Sequence, residues 1–234
     1  YGALSELNQP GNKIITVEDP VEYRLPRINQ VQVNPKIGLD FATVLRACLR
    51  QDPDILLVGE MRDQETVEIG LRGAMTGHLV LTTLHTNDAI SSALRLMDMG
   101  APGYLVASAL RAVIAQRLVR RLCPHCREPH PLDGADRIWL ESLFGEGALA
   151  PHYYHGRGCQ SCNFTGYSGR LGVFEMLEPD ERMMDALRGN DPESFARAAR
   201  QSQGYRPLAA MAHDYASQGV TSIAEVLRLA EVVS

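Results

Sequence analysis

The sequence predicts an α/β fold in which a parallel sheet carries helices on its faces. A β-branched run at 13–17 and two continuous apolar runs at 55–58 and 79–84 have the length of buried strands. The segments between them show the apolar spacing of helices, and strands that alternate with helices are typical of parallel sheets. With 234 residues and 45% hydrophobic content, the chain can form one large domain or two modest ones.

The first half of the chain is divided by turn and cap residues. Pro10-Gly11 ends a short helix, Asp40 can cap the next one, and Asp52-Pro53 stops it. The stretch 21–34 is rich in β formers and interrupted by Pro26, which predicts an irregular hairpin. Cys48 falls on the apolar face of its helix and reads as a core residue. The predicted order is helix 1–8, strand 13–17, hairpin 21–34, helix 40–49, strand 55–58, helix 66–75, strand 79–84 and helix 88–99.

A long amphipathic helix is predicted next, over 103–120, and the composition then changes. Cysteine, proline, histidine and glycine become frequent after Arg121, and helical periodicity returns only from Met183. The later helices are predicted at 183–188, 192–203, 205–217 and 222–231. Three regions follow from this pattern: an α/β core at 1–120, a cysteine-bearing region at 121–172 and a helical region at 173–234.

Composition excludes some classes of protein. The net charge of -5 does not indicate a general nucleic-acid-binding surface. There is no run of about 18 apolar residues that would predict a transmembrane helix. The N-terminus has no signal-peptide pattern. Because the chain begins with Tyr1 rather than methionine, we expect it to be part of a longer protein.

Polar residues follow three of the predicted strands. Glu18 and Asp19 end the first, Glu60 and Arg62 follow the second, and His85 follows the third. In an open α/β sheet, ligands bind beyond the carboxyl ends of the strands. Each residue alone is explained by a helix cap, a solvated loop or a structural histidine. Together they suit phosphoryl transfer, in which acids position Mg²⁺ and water and cations offset phosphate charge.

Three ordered segments then resemble one protein family. Residues 15–22 (ITVEDPVE) resemble the Asp box of secretion ATPases, 49–63 (LRQDPDILLVGEMRD) their Walker B segment, and 76–87 (TGHLVLTTLHTN) their His box. The family comprises type II secretion and type IV pilus assembly ATPases of the GspE, PilB and MshE type. The resemblance extends over essentially the whole chain.

This resemblance implies a RecA-like motor that works as a hexamer in the cytoplasm, at the bacterial inner membrane, with ATP and Mg²⁺. Glu60 would interact with Mg²⁺ and water, and Glu18 and Glu22 would position metal or water. His85 would contact the terminal phosphate. The sequence leaves open which glutamate is the general base. Further assignments in the same site fall on Arg62 and His78.

The phosphate-binding loop of such motors has the pattern G-x-x-x-x-G-K-S/T, and this sequence does not contain it. The resemblance implies that this loop and the first central strand lie just before Tyr1. Because the loop's N–H groups and lysine hold the β- and γ-phosphates, we expect the chain alone neither to bind nor to hydrolyse ATP appreciably. An exposed sheet edge would then favour dimerisation or swapping.

Four of the five cysteines form two C-x-x-C pairs, Cys123 with Cys126 and Cys159 with Cys162. Four thiolates favour tetrahedral Zn²⁺ in a closed structural site without metal catalysis. Disulfides, a redox pair and an iron–sulfur cluster are the alternatives. The nearby histidines are expected to be loop residues rather than ligands: His125, His130, His152 and His155.

The cysteine region extends the resemblance. Residues 159–172 (CQSCNFTGYSGRLG) resemble the cysteine-motif domain of GspE and PilB, which retraction ATPases of the PilT type lack. Assembly or secretion is therefore favoured over retraction. Within the family, 174–177 and 183–187 resemble the MshE-type branch, which assembles MSHA-type pili.

Two surface features leave alternatives open. A basic cluster is either a solvated helix face or a contact with a neighbouring subunit or an acidic partner at the membrane, and it comprises Arg111, Arg117, Arg120, Arg121 and Arg127. The apolar positions of the tail are expected to be core rather than a partner groove, and they are Phe195, Ala198, Ala199, Leu208, Met211 and Tyr215.

Three functions remain in view. The first is the motor of type II secretion or pilus assembly, with platform and cytoplasmic assembly proteins of the same machine as partners. The second is a RecA-like DNA motor with a zinc module. The third is a zinc-held module in 121–234 that docks on an inner-membrane platform protein. No nucleic acid partner is expected, because the basic cluster lacks aromatic stacking residues.

Overall fold

Four strands pair side by side in parallel, which confirms the predicted α/β class. The structure is a computed structural model and describes residues 1–145, 147, 149 and 152–233. The strand order is β2-β1-β3-β4, and all neighbours are parallel. The strands are β1 (Ile14–Glu18), β2 (Asn29–Gln32), β3 (Ile55–Val58) and β4 (Leu79–Thr82).

The chain folds into two units, each built from separate stretches. The first unit comprises Tyr1–Thr86, Ile90–Ala112 and Pro179–Ser202, and the second comprises Asn87–Ala89, Val113–Glu178 and Gln203–Ser234. No helix among the described residues is long and apolar enough to cross a membrane. The helices are α1 (Gly2–Leu7), α2 (Phe41–Leu49), α3 (Gln64–Met75), α4 (Ala89–Asp98), α5 (Gly103–Ala109), α6 (Gly134–Phe144), α7 (Glu181–Arg188), α8 (Pro192–Arg200), α9 (Leu208–Ser217) and α10 (Ile223–Val233).

The core of the first unit forms around the central strands. Every residue of β1 is buried, because helices and neighbouring strands cover it on all sides. The Asp40 side chain accepts a hydrogen bond from the Thr43 N–H and caps α2, which turns the apolar face with Cys48 inward. Cys48 is buried as predicted, and burial raises the pKa of its thiol. Among the tail positions, Phe195 is fully buried here.

The predicted long helix over 103–120 is wrong. The chain forms only α5 and then enters a strand, β5 (Val113–Leu122), that pairs with β8 (Tyr167–Leu177) in antiparallel register. Along β5 the exposed Ile114 and Leu118 alternate with the buried Ala115 and Val119, which is the period of a strand. The long-range pairing with β8 therefore decided the structure, and local apolar spacing did not.

The predicted hairpin over 21–34 is also wrong. Residues 19–28 form a loop that returns along the sheet, so β2 runs parallel to β1 with Gln30 beside Thr16. A hairpin would have made the pair antiparallel. The loop 19–28, called the Asp-box loop below, therefore leaves β1 at the carboxyl edge of the sheet and returns to the start of β2.

The second unit contains two antiparallel ribbons. One is β5 with β8, and the other is β6 (Arg127–His130) with β7 (Tyr153–Gly156). Its apolar core includes Val119, Val173 and Leu140, all without exposed surface. Of the tail positions in this unit Leu208 is buried, whereas Met211 and Tyr215 are partly buried. The expectation that the tail contributes to a core is confirmed.

A buried glutamate ties α10 to β5 in this unit. Glu225 has no exposed surface and accepts hydrogen bonds from the Arg120 N–H at 2.7 Å and from its guanidinium at 2.9 and 3.0 Å. Arg228 lies 3.1 Å from Oε2, which is the oxygen that accepts from the Arg120 N–H. Burial alone would raise the pKa of Glu225, but these donors together hold it below the ordinary glutamate value.

We expect Glu225→Gln to destabilise the protein by about 3 kcal/mol at pH 7, the lower end for a broken buried pair, because both arginines are half exposed. A lowered folded pKa gives stability that is present above the unfolded pKa and is lost as the pH falls through the folded pKa. The difference from wild type should therefore shrink only below about pH 4.3. Urea midpoints across pH test this, with the exposed Glu178→Gln as control. An equal loss at every pH would contradict it.

Candidate functional site

The carboxyl ends of β1, β3 and β4 surround one cavity of about 530 Å³ in the first unit. Five of the residues predicted for the site line it together, and Tyr1 adds a phenol at its wall. The five are Glu18, Glu22, Glu60, Arg62 and His85. Convergence at this edge follows from the parallel arrangement, since parallel strands end on the same side of a sheet.

Glu60 lies between two basic side chains. It is 7% exposed, its Oε1 lies 2.5 Å from an Arg62 guanidinium nitrogen, and its Oε2 lies 3.2 Å from Nε2 of His85. Arg62 and His85 are themselves well exposed to the cavity and solvent. Glu60 is thus held in place by groups that remain free to turn toward an incoming anion.

Glu18 is the second buried acid of this edge, at 4% exposure. Its carboxylate accepts hydrogen bonds from the Tyr1 hydroxyl and the Thr16 hydroxyl, and from Nε2 of Gln30 at 3.2 Å. Burial, with the hydrogen bond to Glu18, raises the pKa of the Tyr1 phenol, so Tyr1 acts as a donor at neutral pH. Glu22 is exposed, and its backbone N–H donates to the Tyr1 oxygen at 3.2 Å.

Gly59 allows the ends of β1 and β3 to approach each other closely. Its N–H donates to the carbonyl of Val17 at 2.7 Å, and a Cβ at this position would lie 3.1 Å from that oxygen and 3.2 Å from the Cα of Glu18. Any side chain here would push the two strand ends apart. The absence of a side chain at position 59 therefore has a steric reason.

His78 lies elsewhere in the sheet. It precedes β4, whereas the cavity opens where β4 ends, and its Nδ1 lies 2.8 Å from the carbonyl of Gly73 and 3.1 Å from the Thr76 hydroxyl. The structure does not bring it together with the other site residues. Its contacts are those of a residue that closes the turn after α3.

The four predicted cysteines form one cluster in the second unit. Their sulfurs all lie within 4.8 Å of one another, and no disulfide joins them. The Sγ distances are 3.9 Å for Cys123–Cys159 and 3.8 Å for both Cys126–Cys162 and Cys159–Cys162. Sulfurs bonded to one tetrahedral zinc at about 2.3 Å are about 3.8 Å apart. The cluster thus has the size of a metal-binding tetrathiolate site.

The backbone around the cluster is arranged for thiolates. Cys123 follows β5 and Cys126 precedes β6, whereas Cys159 caps a 3₁₀ turn, Gln160–Cys162, of which Cys162 is the last residue. Burial raises the pKa of Cys126 to about 12. Burial acts in the same direction on Cys162, but N–H groups of Cys159 and Gly166, each 3.3 Å from its sulfur, lower its pKa to about 6. A divalent cation would favour loss of all four protons.

The neighbouring histidines are not part of the cysteine cluster in the described residues. His130 and His155 lie on β6 and β7 rather than in loops, which corrects the prediction for these two. They pair with acids instead, His130 with Asp136 at 3.2 Å and His155 with Glu128 at 3.1 Å. His125 and His152 are exposed.

The basic cluster is not a helix face, contrary to one of its two predicted readings. Arg117, Arg120 and Arg121 lie on β5, and Arg127 lies on β6. Arg120 pairs with Glu225, and its guanidinium carbon stands 4.0 Å from the centre of the Tyr167 ring. Arg127 donates to the carbonyl of Gly219 and lies over the Tyr154 ring. At least two of the arginines therefore hold the second unit together.

A sequence model of the type II/IV secretion system proteins matches residues 1–228. The chain belongs to this family. This secretion-family chain is 45% identical over 231 residues to type II secretion system protein E of Klebsiella pneumoniae, covering 99% of the chain and 45% of that protein. It is 42% identical over 230 residues to the type IV pilus assembly ATPase PilB of Thermus thermophilus, covering 97% of the chain and 25% of PilB. The resemblance drawn from the three motifs is confirmed.

Among solved structures, the secretion-family chain resembles the pilus retraction motor PilT with bound ADP. The TM-score is 0.67 at 28% identity, and the match covers 97% of this chain and 55% of that one. This confirms the predicted fold. The chain spans less than half the length of both sequence relatives.

Sequence reasoning missed the residues that support the acids of this secretion-family site. Tyr1, Thr16 and Gln30 all donate to Glu18, and Thr83 donates from its hydroxyl to the Gly59 carbonyl at 2.5 Å. Gln30 could have been found only with the correct pairing of β2, because its contact with Glu18 depends on how the chain returns along β1. The predicted hairpin did not pair β2 with β1 in parallel, so it did not bring Gln30 beside Thr16.

Proposed function

We propose that the complete gene product is an ATP-hydrolysing motor of type II secretion or of type IV-like pilus assembly. The observation that carries this proposal is the convergence of Glu18, Glu60, Arg62 and His85 on one cavity at the carboxyl edge of the parallel sheet. The relative with bound ADP and the relative named as an ATPase support it. The MSHA-type branch remains a finer proposal that rests on 174–177 and 183–187.

The acidic and the basic residues of the site would have different roles in hydrolysis. The carboxylates of Glu18, Glu22 and Glu60 are hard oxygen ligands that suit Mg²⁺, which when bound would neutralise phosphate charge. We assign to Glu60 the role of orienting and activating the attacking water, because its carboxylate is buried and is contacted by Arg62 and by His85. His85 and Arg62, which are exposed and basic, would turn from Glu60 to the terminal phosphate. His78 is a weaker candidate for the nucleotide.

The cysteine cluster is proposed as a structural zinc site. Four sulfurs fill a tetrahedron, which leaves no position for a reacting water, so the metal would stabilise the fold and take no part in hydrolysis. In this proposal 1–120 is the nucleotide-handling region, 121–172 carries the zinc and 173–234 is the helical region.

Partners and location belong to the same proposal. The motor would act as a homo-hexamer in the cytoplasm, on the inner membrane, against platform and assembly proteins of its machine. A docking role for the second unit is favoured by one observation: Ile114, Leu118, Phe174 and Met176 are exposed on one face of the β5–β8 ribbon. A DNA motor is not favoured, given the net charge of -5.

The test compares two proteins. We expect the complete gene product to hydrolyse ATP with Mg²⁺, whereas the 234-residue chain shows no nucleotide binding in the low micromolar range by calorimetry, because it lacks the phosphate-binding loop pattern. Sedimentation of the chain checks whether the β4 edge, where Leu79 is 43% exposed, causes dimerisation. Absence of ATP hydrolysis in the complete protein as an assembled oligomer would reject the proposed function.

A further inference from the structure

Gln30 lies on β2 and reaches the Asp-box loop and Glu18 at the same time. Its Oε1 accepts a hydrogen bond from the Leu25 N–H at 2.7 Å, and its Nε2 donates to the carbonyl of Tyr23 at 3.1 Å and to Oε1 of Glu18 at 3.2 Å. Only one orientation of the amide satisfies these three partners, because an N–H needs the oxygen and the two acceptors need the nitrogen. The side chain is therefore fixed.

Glu18 depends on such donors for its orientation. The three groups that hydrogen-bond to it, Tyr1, Thr16 and Gln30, are neutral, so they orient the carboxylate without cancelling its charge. Thr16 lies on β1, the strand that also carries Glu18, and Tyr1 directly precedes α1. Two of these donors also contact the loop at 19–25, which carries Glu22: Tyr1 accepts from the Glu22 N–H, and Gln30 bonds to both Tyr23 and Leu25.

We propose that Gln30 is a positioning residue for ATP hydrolysis, which fixes the Glu18 carboxylate and the loop with Glu22 in one arrangement. This inference rests on the proposed function. It assigns to β2 a role that none of the three sequence motifs contains, since Gln30 lies outside all of them. Small displacements of a catalytic group are costly, with about 1 Å able to lower a rate 10²-fold.

Two substitutions distinguish the loss of the hydrogen bond to Glu18 from a change in side-chain size. Gln30→Leu removes all three hydrogen bonds. Gln30→Glu keeps the size and the acceptor for the Leu25 N–H, but it replaces the donor to Glu18 with a second carboxylate. In the complete gene product we expect both to lower kcat about 10- to 100-fold, while KM for ATP changes less than about twofold.

The decisive measurement is a double-mutant cycle with Glu18→Ala, scored by kcat. If Gln30 acts through Glu18, Gln30→Leu should cost clearly less once Glu18 is gone, and only the part that acts through the loop should remain. The control is Gln9→Leu, since Gln9 is an exposed glutamine just after α1 and its side chain donates to the Glu6 carbonyl at 3.5 Å. We expect this control to keep wild-type kcat.

The outcomes are distinct. A lower kcat for Gln30→Glu with an unchanged melting temperature, together with a non-additive cycle, supports the inference. Fully additive losses, or a loss that follows the melting temperature and appears equally in Gln9→Leu, overturn it, and so does a wild-type kcat in Gln30→Glu. If Glu18→Ala alone keeps wild-type kcat, the inference also fails. Failure of the proposed function itself shows differently, as absent hydrolysis in the wild-type protein.

Discussion

Replacing Glu60 by glutamine should reduce ATP hydrolysis by the complete gene product about 10³-fold, which is the range expected for loss of a group that orients and activates water. Glutamine keeps the shape of the side chain but loses the charge that Arg62 and His85 contact at 2.5 and 3.2 Å. Nucleotide binding should remain, because those two basic groups would still be available to the phosphates. Steady-state hydrolysis and binding of a fluorescent ATP analogue measure the two effects separately.

The matched control is Glu65→Gln on the neighbouring helix α3. Glu65 is exposed and pairs with Arg46 at the surface, so its removal should leave hydrolysis within about twofold of wild type. A Glu60→Gln variant that keeps more than a tenth of wild-type kcat would contradict the assignment of Glu60. Glu18 would then be the stronger candidate for the acid that handles water.

Loss of one cysteine of the cluster should remove the metal and much of the order of the second unit. We expect the 234-residue chain to bind about one zinc per chain and Cys162→Ser to bind almost none, since the site needs all four thiolates. Zinc binding to such sites contributes about 10–16 kcal/mol to folding, so hydrogen exchange should accelerate in β6 and β7. Elemental analysis and hydrogen exchange provide the two readouts.

Cys48 offers the control for this prediction. It is buried in α2 of the first unit and lies apart from the cluster, so Cys48→Ala should keep one equivalent of zinc. A coloured protein that contains iron would show an iron–sulfur cluster instead. Full zinc occupancy in Cys162→Ser would show that the four sulfurs do not act as one site.

The sequence predicted the elements whose signals are local. The buried strands β1, β3 and β4 stand out as apolar runs, and the polar residues that end them lie where a parallel sheet places its ligands. The C-x-x-C pairs likewise identify their own partners. Most of the candidate site could therefore be predicted, because its residues are adjacent in sequence to the strands that carry them.

What could not be predicted depends on pairing between distant segments. Strand β5 has apolar residues that fit a helix as well as a strand, and its partner β8 begins only after the last cysteine of the cluster. The orientation of β2 was missed for another reason, because it depends on how the loop 19–28 returns along β1, and Gln30 was missed with it. Both errors concern partners that a single stretch of sequence does not reveal.

The interleaving of the two units has a consequence for synthesis of the protein. The first unit is not complete until α7 and α8 are made, and α7 packs so closely on α5 that a Cβ on Gly103 would lie 2.0 Å from the carbonyl of Leu187. The second unit waits for the residues after Gln203. Both units must therefore stay unfinished on the ribosome until nearly all of these residues have emerged, and contacts so distant in sequence form slowly. A chain stopped anywhere between 113 and 201 would contain neither unit whole.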